Sequence, residues 1–164
     1  MVLCDYDGNI VQGKSKTVNG AGLQIHSAIH KAHPNIHAAV HAHGVNGRAW
    51  SAFGRPLDIL SQDHCVFYKA HNVYTNFGGV VFDKEEAERL TEALGPDGKG
   101  LILQNHGLLT VGQTADEAVY LFCLMERLCD IQLKVEAVHG LKRILVSDEA
   151  AEFTKRTAGD PVSS

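Results

Sequence analysis

The sequence lacks any apolar run long enough to span a bilayer, and it has no cluster of lysine and arginine. A membrane helix needs about 20 consecutive apolar residues, so we expect no membrane span. The net charge is −4 with histidine neutral. Without a basic patch, neither nucleic acid nor an anionic membrane surface is expected as a main partner.

Cysteine is sparse, and no two cysteines form a C-x-x-C pair. Residues 1–7 also lack the basic start and long apolar stretch of a secretory signal peptide. Scattered cysteines in such a chain predict reduced thiols and a cytoplasmic location. The four residues are Cys4, Cys65, Cys123 and Cys129.

Repeats, low-complexity segments and long linkers are absent too. A chain of 164 residues, 45% of them hydrophobic, can bury a core of its own. We therefore predict one compact domain over residues 1–146, followed by a C-terminal helix and tail over residues 147–164.

Histidine, in contrast, is abundant, and six of the ten histidines lie between His26 and His43. Residues 36–43 read as a strand in which alternate side chains share a face. His41 and His43 then project together, while the apolar residues of the strand line the other face. Two imidazoles this close can hold a divalent metal such as Zn²⁺.

A third histidine, His106, follows a second apolar strand at residues 100–104. Three histidines at strand ends would leave one coordination position open, as catalytic rather than structural zinc sites do. The alternative is that these histidines are hydrogen-bonded core residues.

The remaining pattern alternates short strands with helices, which predicts helices packed on a mixed sheet. Thr114 and Glu117 form a capping box at the start of the longest helix, and Asp83 with Glu86 forms another. Strands are predicted over 2–5, 9–12, 36–43, 57–60, 65–68, 78–82, 100–104 and 108–111, and helices over 23–33, 44–53, 83–94 and 115–138. A short helix is expected within the tail.

Four segments together resemble the class II aldolase/adducin family, and within it the fungal members. They are residues 25–34, the strand ending in His41-Ala42-His43, the Asn105-His106-Gly107 corner with residues 108–112, and the helix over 115–138. The resemblance covers residues 2–138. It implies a three-layer α/β/α class II aldolase-like fold with a mixed, largely antiparallel central sheet. It also implies Zn²⁺ held by His41, His43 and His106, and a homo-oligomer, with a tetramer favoured and active sites at subunit interfaces.

The sequence departs from the family pattern in three places. Gly20-Ala21-Gly22 stands where the family's aldolases carry a Ser-Ser-Glu segment that binds phosphate and supplies an acid/base. The family's N-terminal phosphate loop would precede residue 1, and the position of its catalytic tyrosine falls near Gln62. The resemblance thus implies a small carbonyl substrate without a phosphate, in secondary metabolism.

Other residues are candidates for the missing roles. For acid/base catalysis the candidates are Asp63, His64, Tyr68 and His26. Histidine titrates near neutral pH, and His26 lies nearest in sequence to Gly20-Ala21-Gly22, where the family's acid/base residue would stand. An ordinary loop with a surface histidine is the alternative for residues 63–68. Gly44, Asn105 and Gly107 adjoin the predicted ligands and are candidates for substrate binding, with simple turn geometry as the alternative.

His26, His30 and His33 share one helix at i, i+4, i+7 spacing. A second metal site is one interpretation, and a polar helix flank is the favoured one.

Two function classes follow. The favoured one is a metal-dependent lyase-type enzyme that polarises a carbonyl or stabilises an enolate, in aldol, dehydration or decarboxylation chemistry. The alternative is an adducin-like scaffold or interaction domain without catalysis. A structural metal that only supports oligomerisation would require a fourth protein ligand.

Overall fold

The computed structural model describes residues 1–14, 17–75 and 84–158. The strands in these ranges are β1 (Val2–Cys4), β2 (Ile10–Gly13), β3 (Ala38–Ala42), β4 (His71–Tyr74), β5 (Gly100–Leu103) and β6 (Gly107–Gly112). The helices are α1 (Gly20–Ala32), α2 (Val45–Ser51), α3 (Lys84–Leu94), α4 (Ala115–Glu136) and α5 (Asp148–Ala158), with a 3₁₀ helix at Asp63–Phe67. No helix in the described part of the chain is long and apolar enough to cross a membrane.

The central sheet has four strands in the order β3-β6-β5-β4. The β3–β6 and β6–β5 pairs are antiparallel, and the β5–β4 pair is parallel. The predicted mixed and largely antiparallel sheet is therefore confirmed. β1 and β2 form a separate antiparallel pair.

Helices cover both faces of this sheet, because β5 and β6 are buried on both sides. Leu101 and Leu109 point to one face, where they pack with residues of α1 and α3 such as Ile29 and Leu90. Ile102 points to the other face and packs with Trp50 of α2 and residues of α4. The result is the three-layer α/β/α arrangement that the family resemblance implied.

The helix predictions differ from the structure mainly at helix ends. α1 begins at Gly20, three residues before the predicted start, because the Asn19 side chain accepts a hydrogen bond from the Gly22 N–H and caps the helix. The α4 capping box is confirmed, with Thr114 Oγ1 accepting from the Glu117 N–H at 3.1 Å.

Two strand predictions are wrong. Residues 57–60 form no strand, and residues 65–68 lie in and just after the 3₁₀ helix Asp63–Phe67. The strand on this part of the chain is β4, which pairs with β5 and was not predicted. A short apolar run fits a buried strand and a buried helical turn equally well, and packing decides between them. The predicted strand 78–82 and the predicted Asp83 cap lie outside the described residues.

The C-terminal region contains the expected helix. α5 buries Ala151 against Cys65 and Tyr68 beside the 3₁₀ helix, so the helix is docked on the domain. The division into residues 1–146 and 147–164 stays a prediction.

Candidate metal centre

Two chain segments bring three histidines to one end of the central sheet. His41 lies within β3 opposite Leu109 of β6, and His43 follows the last residue of that strand. His106 directly precedes the first residue of β6. Because β3 and β6 are antiparallel neighbours, the end of one lies beside the start of the other.

The three imidazole rings pack against one another. Their centroids are 5.1 Å apart for His41 and His43, and 4.7 Å from each of these to His106. One nitrogen from each ring lies within 4.8 Å of the other two. Three neutral imidazoles in this arrangement are a suitable donor set for Zn²⁺ or a similar divalent ion.

A backbone hydrogen bond orients one of the rings. His41 Nδ1 lies 2.8 Å from the carbonyl oxygen of Leu108 on the neighbouring strand. A carbonyl only accepts, so Nδ1 carries the proton and Nε2 keeps its lone pair. Such a second hydrogen bond is typical of histidines that bind metals.

The surroundings of His41 and His106 favour the uncharged form that a metal requires. Burial and then the neighbouring His41 and His43 lower the pKa of His106 to about 4. Burial also lowers the pKa of His41, although the bond to Leu108 opposes this shift. His106 is therefore expected to be neutral at neutral pH, and the shift at His41 is in the same direction.

The cluster is open on one side. His43 is exposed, while His41 and His106 are half-buried. Within the described ranges, no fourth histidine, cysteine or carboxylate joins the group. The arrangement leaves room for a water or substrate ligand.

The residues predicted to bind substrate stand where the backbone conformation or close packing restricts the residue type. Asn105 adopts the left-handed conformation at φ 57°, which asparagine tolerates better than most residues. A Cβ atom on Gly107 would lie 2.9 Å from the Ala42 carbonyl oxygen. A Cβ atom on Gly44 would meet the carboxylate of Glu126. Turn geometry and close packing thus account for these residue types, and substrate contact stays a prediction.

The structure does not bring Asp63, His64 and Tyr68 to the three histidines within one chain. They precede β4, whose first residue pairs with Gly100 at the start of β5, whereas His106 follows the end of β5. The length of β5 alone separates the two ends by about 10 Å. His64 is fully buried, and Asp63 is exposed.

His26 lies closer to the cluster. It is half-buried on α1, and the proximity of His30 and His41 adds to burial in lowering its pKa. His30 Nδ1 is 2.9 Å from the Ile36 carbonyl oxygen, so it donates a structural hydrogen bond. In the described part of the chain, His26, His30 and His33 do not form a three-ligand group.

Glu126 is the residue near the cluster that sequence reasoning missed. Its carboxylate accepts hydrogen bonds from the N–H groups of Asn46 and Gly47 at 2.7 and 2.8 Å. The partners are 80 and 79 residues away in sequence, so no local pattern signals the contact.

A cleft lies elsewhere in the molecule. It has a volume of about 680 Å³ and runs between α1, α3 and the loop that joins β1 to β2. The three clustered histidines do not line it.

Comparison with known proteins places the chain among relatives of known fold. The sequence profile described as "Class II Aldolase and Adducin N-terminal domain" matches residues 1–133. The chain is 39% identical over 163 residues to the meiotically up-regulated gene 14 protein of Schizosaccharomyces pombe, covering 99% of this chain and 63% of that protein. It is 40% identical over 149 residues to the decarboxylase NovR of Streptomyces niveus, covering 91% of this chain and 54% of that protein.

A solved structure shares the fold. The L-fuculose 1-phosphate aldolase from Glaciozyma antarctica superposes with a TM-score of 0.84 at 38% identity, over 97% of this chain and 60% of the aldolase. The chain thus spans between about half and two thirds of the length of the relatives that it matches.

Proposed function

Because the chain belongs to the class II aldolase and adducin family, we propose that it is a metal-dependent lyase-type enzyme that acts on a small carbonyl substrate. The observation that carries the proposal is the cluster of His41, His43 and His106, which has a metal-binding donor set and no fourth ligand among the described residues.

The three histidines would hold the ion, for which Zn²⁺ is the first choice. When bound, a divalent ion supplies Lewis-acid stabilisation to the oxygen of a carbonyl or enolate. His41 presents Nε2 because its Nδ1–H is held by the Leu108 carbonyl. The exposed side of His43 offers the approach for a substrate. His26 on α1 is the nearest of the predicted acid/base candidates to this group.

The proposed substrate class rests on the residues at the start of α1. The first residues of that helix are Gly20, Ala21 and Gly22, so no hydroxyl or carboxylate stands at these positions. We therefore propose a substrate without a phosphate group. A relative whose name is a decarboxylase and a structural neighbour named as an aldolase both fit chemistry through an enolate. A cytoplasmic location and a homo-oligomer, with a tetramer favoured, are part of this proposal.

The family name also covers adducin, and a scaffold without catalysis is the alternative. The scaffold is favoured by the placement of Asp63, His64 and Tyr68 away from the cluster. Of the predicted acid/base candidates, only His26 then lies near the histidines of the same chain. Retention of all three histidines at one open site favours the enzyme.

The test begins with metal content by plasma mass spectrometry. The wild type is expected to hold close to one metal per chain, and His41→Ala/His43→Ala is expected to lose it without unfolding. His37→Ala is the matched control, because His37 is an exposed histidine beside the same strand but outside the cluster.

Enolate formation is then measured directly. Proton NMR in D₂O follows exchange of the α-protons of hydroxyacetone and pyruvate, which requires no knowledge of the full reaction. Exchange by metal-loaded wild type and His37→Ala, but not by the double variant, supports the enzyme. Two results would favour the scaffold. In the first, the wild type binds no metal even after Zn²⁺ is added. In the second, the protein binds metal but catalyses no exchange of any carbonyl tested.

A further inference from the structure

α2 connects the two segments that carry the clustered histidines. Its first residue follows Gly44, which itself follows His43. At its other end, the Ser51 carbonyl oxygen accepts a hydrogen bond from the Asn105 N–H at 3.3 Å, and Asn105 adjoins His106. The position of α2 therefore affects the backbone beside two of the three histidines.

The N-terminus of α2 has no cap of its own. Gly44 stands at the N-cap position without a side chain to accept a hydrogen bond, and the first turn contains no acidic residue. The first N–H groups of a helix have no partners within the helix and need an acceptor from outside. Here Glu126 Oε1 accepts from the Asn46 N–H at 2.7 Å, and Oε2 accepts from the Gly47 N–H at 2.8 Å.

The contact is closely fitted. A Cβ atom at Gly44 would meet the Glu126 carboxylate, and one at Gly47 would meet both Leu108 and Glu126, so no larger residue fits at either position without displacing these groups. Glu126 lies on α4, which is the longest described helix and which packs Met125 and Leu128 into the core beside it. A bidentate acceptor on a rigid helix fixes both the position and the direction of α2.

We propose that Glu126 is a positioning residue for the metal centre. It caps α2 and so fixes the backbone next to His43 and His106. The inference rests on the proposed function, since it presumes that the histidines bind a metal. His41 is held independently, within the β3 ladder and by the Leu108 carbonyl. Loss of Glu126 is thus expected to disturb two ligands and spare the third.

The chain provides a matched control on the same helix. Glu117 lies in the first turn of α4, and its Oε2 accepts a hydrogen bond at 2.7 Å from the N–H of Gln113, just before the helix. It lies beside Lys99 and Gly112, at the end of β6 away from His106. Glu117→Ala therefore removes another carboxylate of α4 that accepts a backbone hydrogen bond near a helix start, without touching the metal centre.

The experiment measures Zn²⁺ affinity by competition with a chromophoric chelator, together with thermal unfolding of the metal-free proteins. Removing a group that hydrogen-bonds a metal ligand directly typically costs about 10- to 100-fold in affinity. Glu126 acts through the backbone of α2, so we expect a loss at the lower end, about 10-fold, in Glu126→Ala. We expect a smaller loss in Glu126→Gln, which keeps one acceptor oxygen, and none in Glu117→Ala. The visible spectrum of bound Co²⁺ is expected to change in Glu126→Ala and to match the wild type in Glu117→Ala.

Each outcome is decisive. Equal losses in Glu126→Ala and Glu117→Ala would indicate general destabilisation and overturn the positioning role. Unchanged affinity in both Glu126 variants, while His41→Ala/His43→Ala loses the metal, would overturn this inference alone. A wild type that binds no metal would overturn the proposed function together with it. Should Glu126→Ala fail to fold, Glu126→Gln carries the same comparison.

Discussion

His41 and Leu108 are joined across the β3–β6 pair by a hydrogen bond of 2.8 Å from the imidazole Nδ1–H to the backbone carbonyl oxygen. Leu108 lies opposite Ala42 in this pair, and its side chain is fully buried. The sheet that forms the core therefore also fixes the orientation and tautomer of a candidate metal ligand. This link between fold and chemistry underlies the first prediction.

The tautomer of His41 is observable before any metal is added. We expect ¹⁵N-detected NMR of the metal-free protein near pH 7.5 to show His41 as the Nδ1–H form, because a carbonyl accepts at that nitrogen. Addition of Zn²⁺ is expected to shift the Nε2 signal most. Observation of the Nε2–H form at His41, or metal binding through Nδ1, would contradict the structure.

Metal binding should also stabilise the fold. A ligand that binds only the folded state at 100 times its dissociation constant adds about 2.7 kcal/mol. We expect Zn²⁺ to raise the melting temperature of the wild type and of His37→Ala, and a chelator to reverse the effect. His41→Ala/His43→Ala is expected to melt at the same temperature with and without the ion, and a metal-dependent shift in this variant would locate binding elsewhere.

The left-handed backbone at Asn105 predicts a specific sensitivity at the corner before His106. A β-branched residue at φ 57° is strained, so Asn105→Val is expected to lower the free energy of unfolding by about 1–2 kcal/mol. Asn105→Gly should be close to neutral. Asn72→Val, at an exposed position of β4, is the control; it loses only a long hydrogen bond of 3.5 Å from Asn72 Nδ2 to the Leu94 carbonyl oxygen and should cost less than Asn105→Val, since valine favours strands. Denaturant unfolding of the three variants measures these differences.

His64 makes stability depend on pH. It is fully buried with Nδ1 2.8 Å from Ser61 Oγ, and burial lowers its pKa from 6.5 to about 4. Below pH 6.5 the unfolded chain gains a proton that the folded chain does not, so this contribution to stability is present above 6.5 and is lost as the pH falls towards 4. The loss is at most about 3 kcal/mol.

The matched variant is His64→Asn, which keeps a polar atom near Ser61 but does not titrate. It is expected to be less stable than the wild type at pH 7.5 and to lose less stability between pH 7 and pH 5. Parallel pH profiles of the two proteins in urea unfolding would show that another group dominates.

The cysteines should differ sharply in reactivity. Cys123 is exposed on α4, whereas Cys65 and Cys129 are buried. Burial, with a further contribution from Glu126, raises the pKa of the Cys129 thiol to about 12, and burial also raises that of Cys65. We expect Ellman's reagent to modify Cys123 rapidly in the native protein, and Cys65 and Cys129 only after unfolding. Rapid reaction of all thiols in native buffer would contradict this packing.

Sequence reasoning succeeded where the pattern is local. The alternation around His41 and His43 predicted β3, and the Thr114–Glu117 box predicted the start of α4, because both depend on residues a few positions apart. It failed over residues 65–68, where a short apolar run turned out to be helical. That run is buried against α5 and α4, which come much later in the chain.

The sequence by itself predicted the residues of the histidine cluster from motifs and periodicities within short segments, and the resemblance of those segments to a known family implied the family and the three-layer fold. Only the tertiary structure decided that His26 lies near His41, that Asp63, His64 and Tyr68 lie at the other end of β5, and that Glu126 caps α2 from 80 residues away. The physical reason is that the first set depends on backbone geometry along the chain. The second depends on which surfaces pack together, and periodicity within a segment carries no information about that.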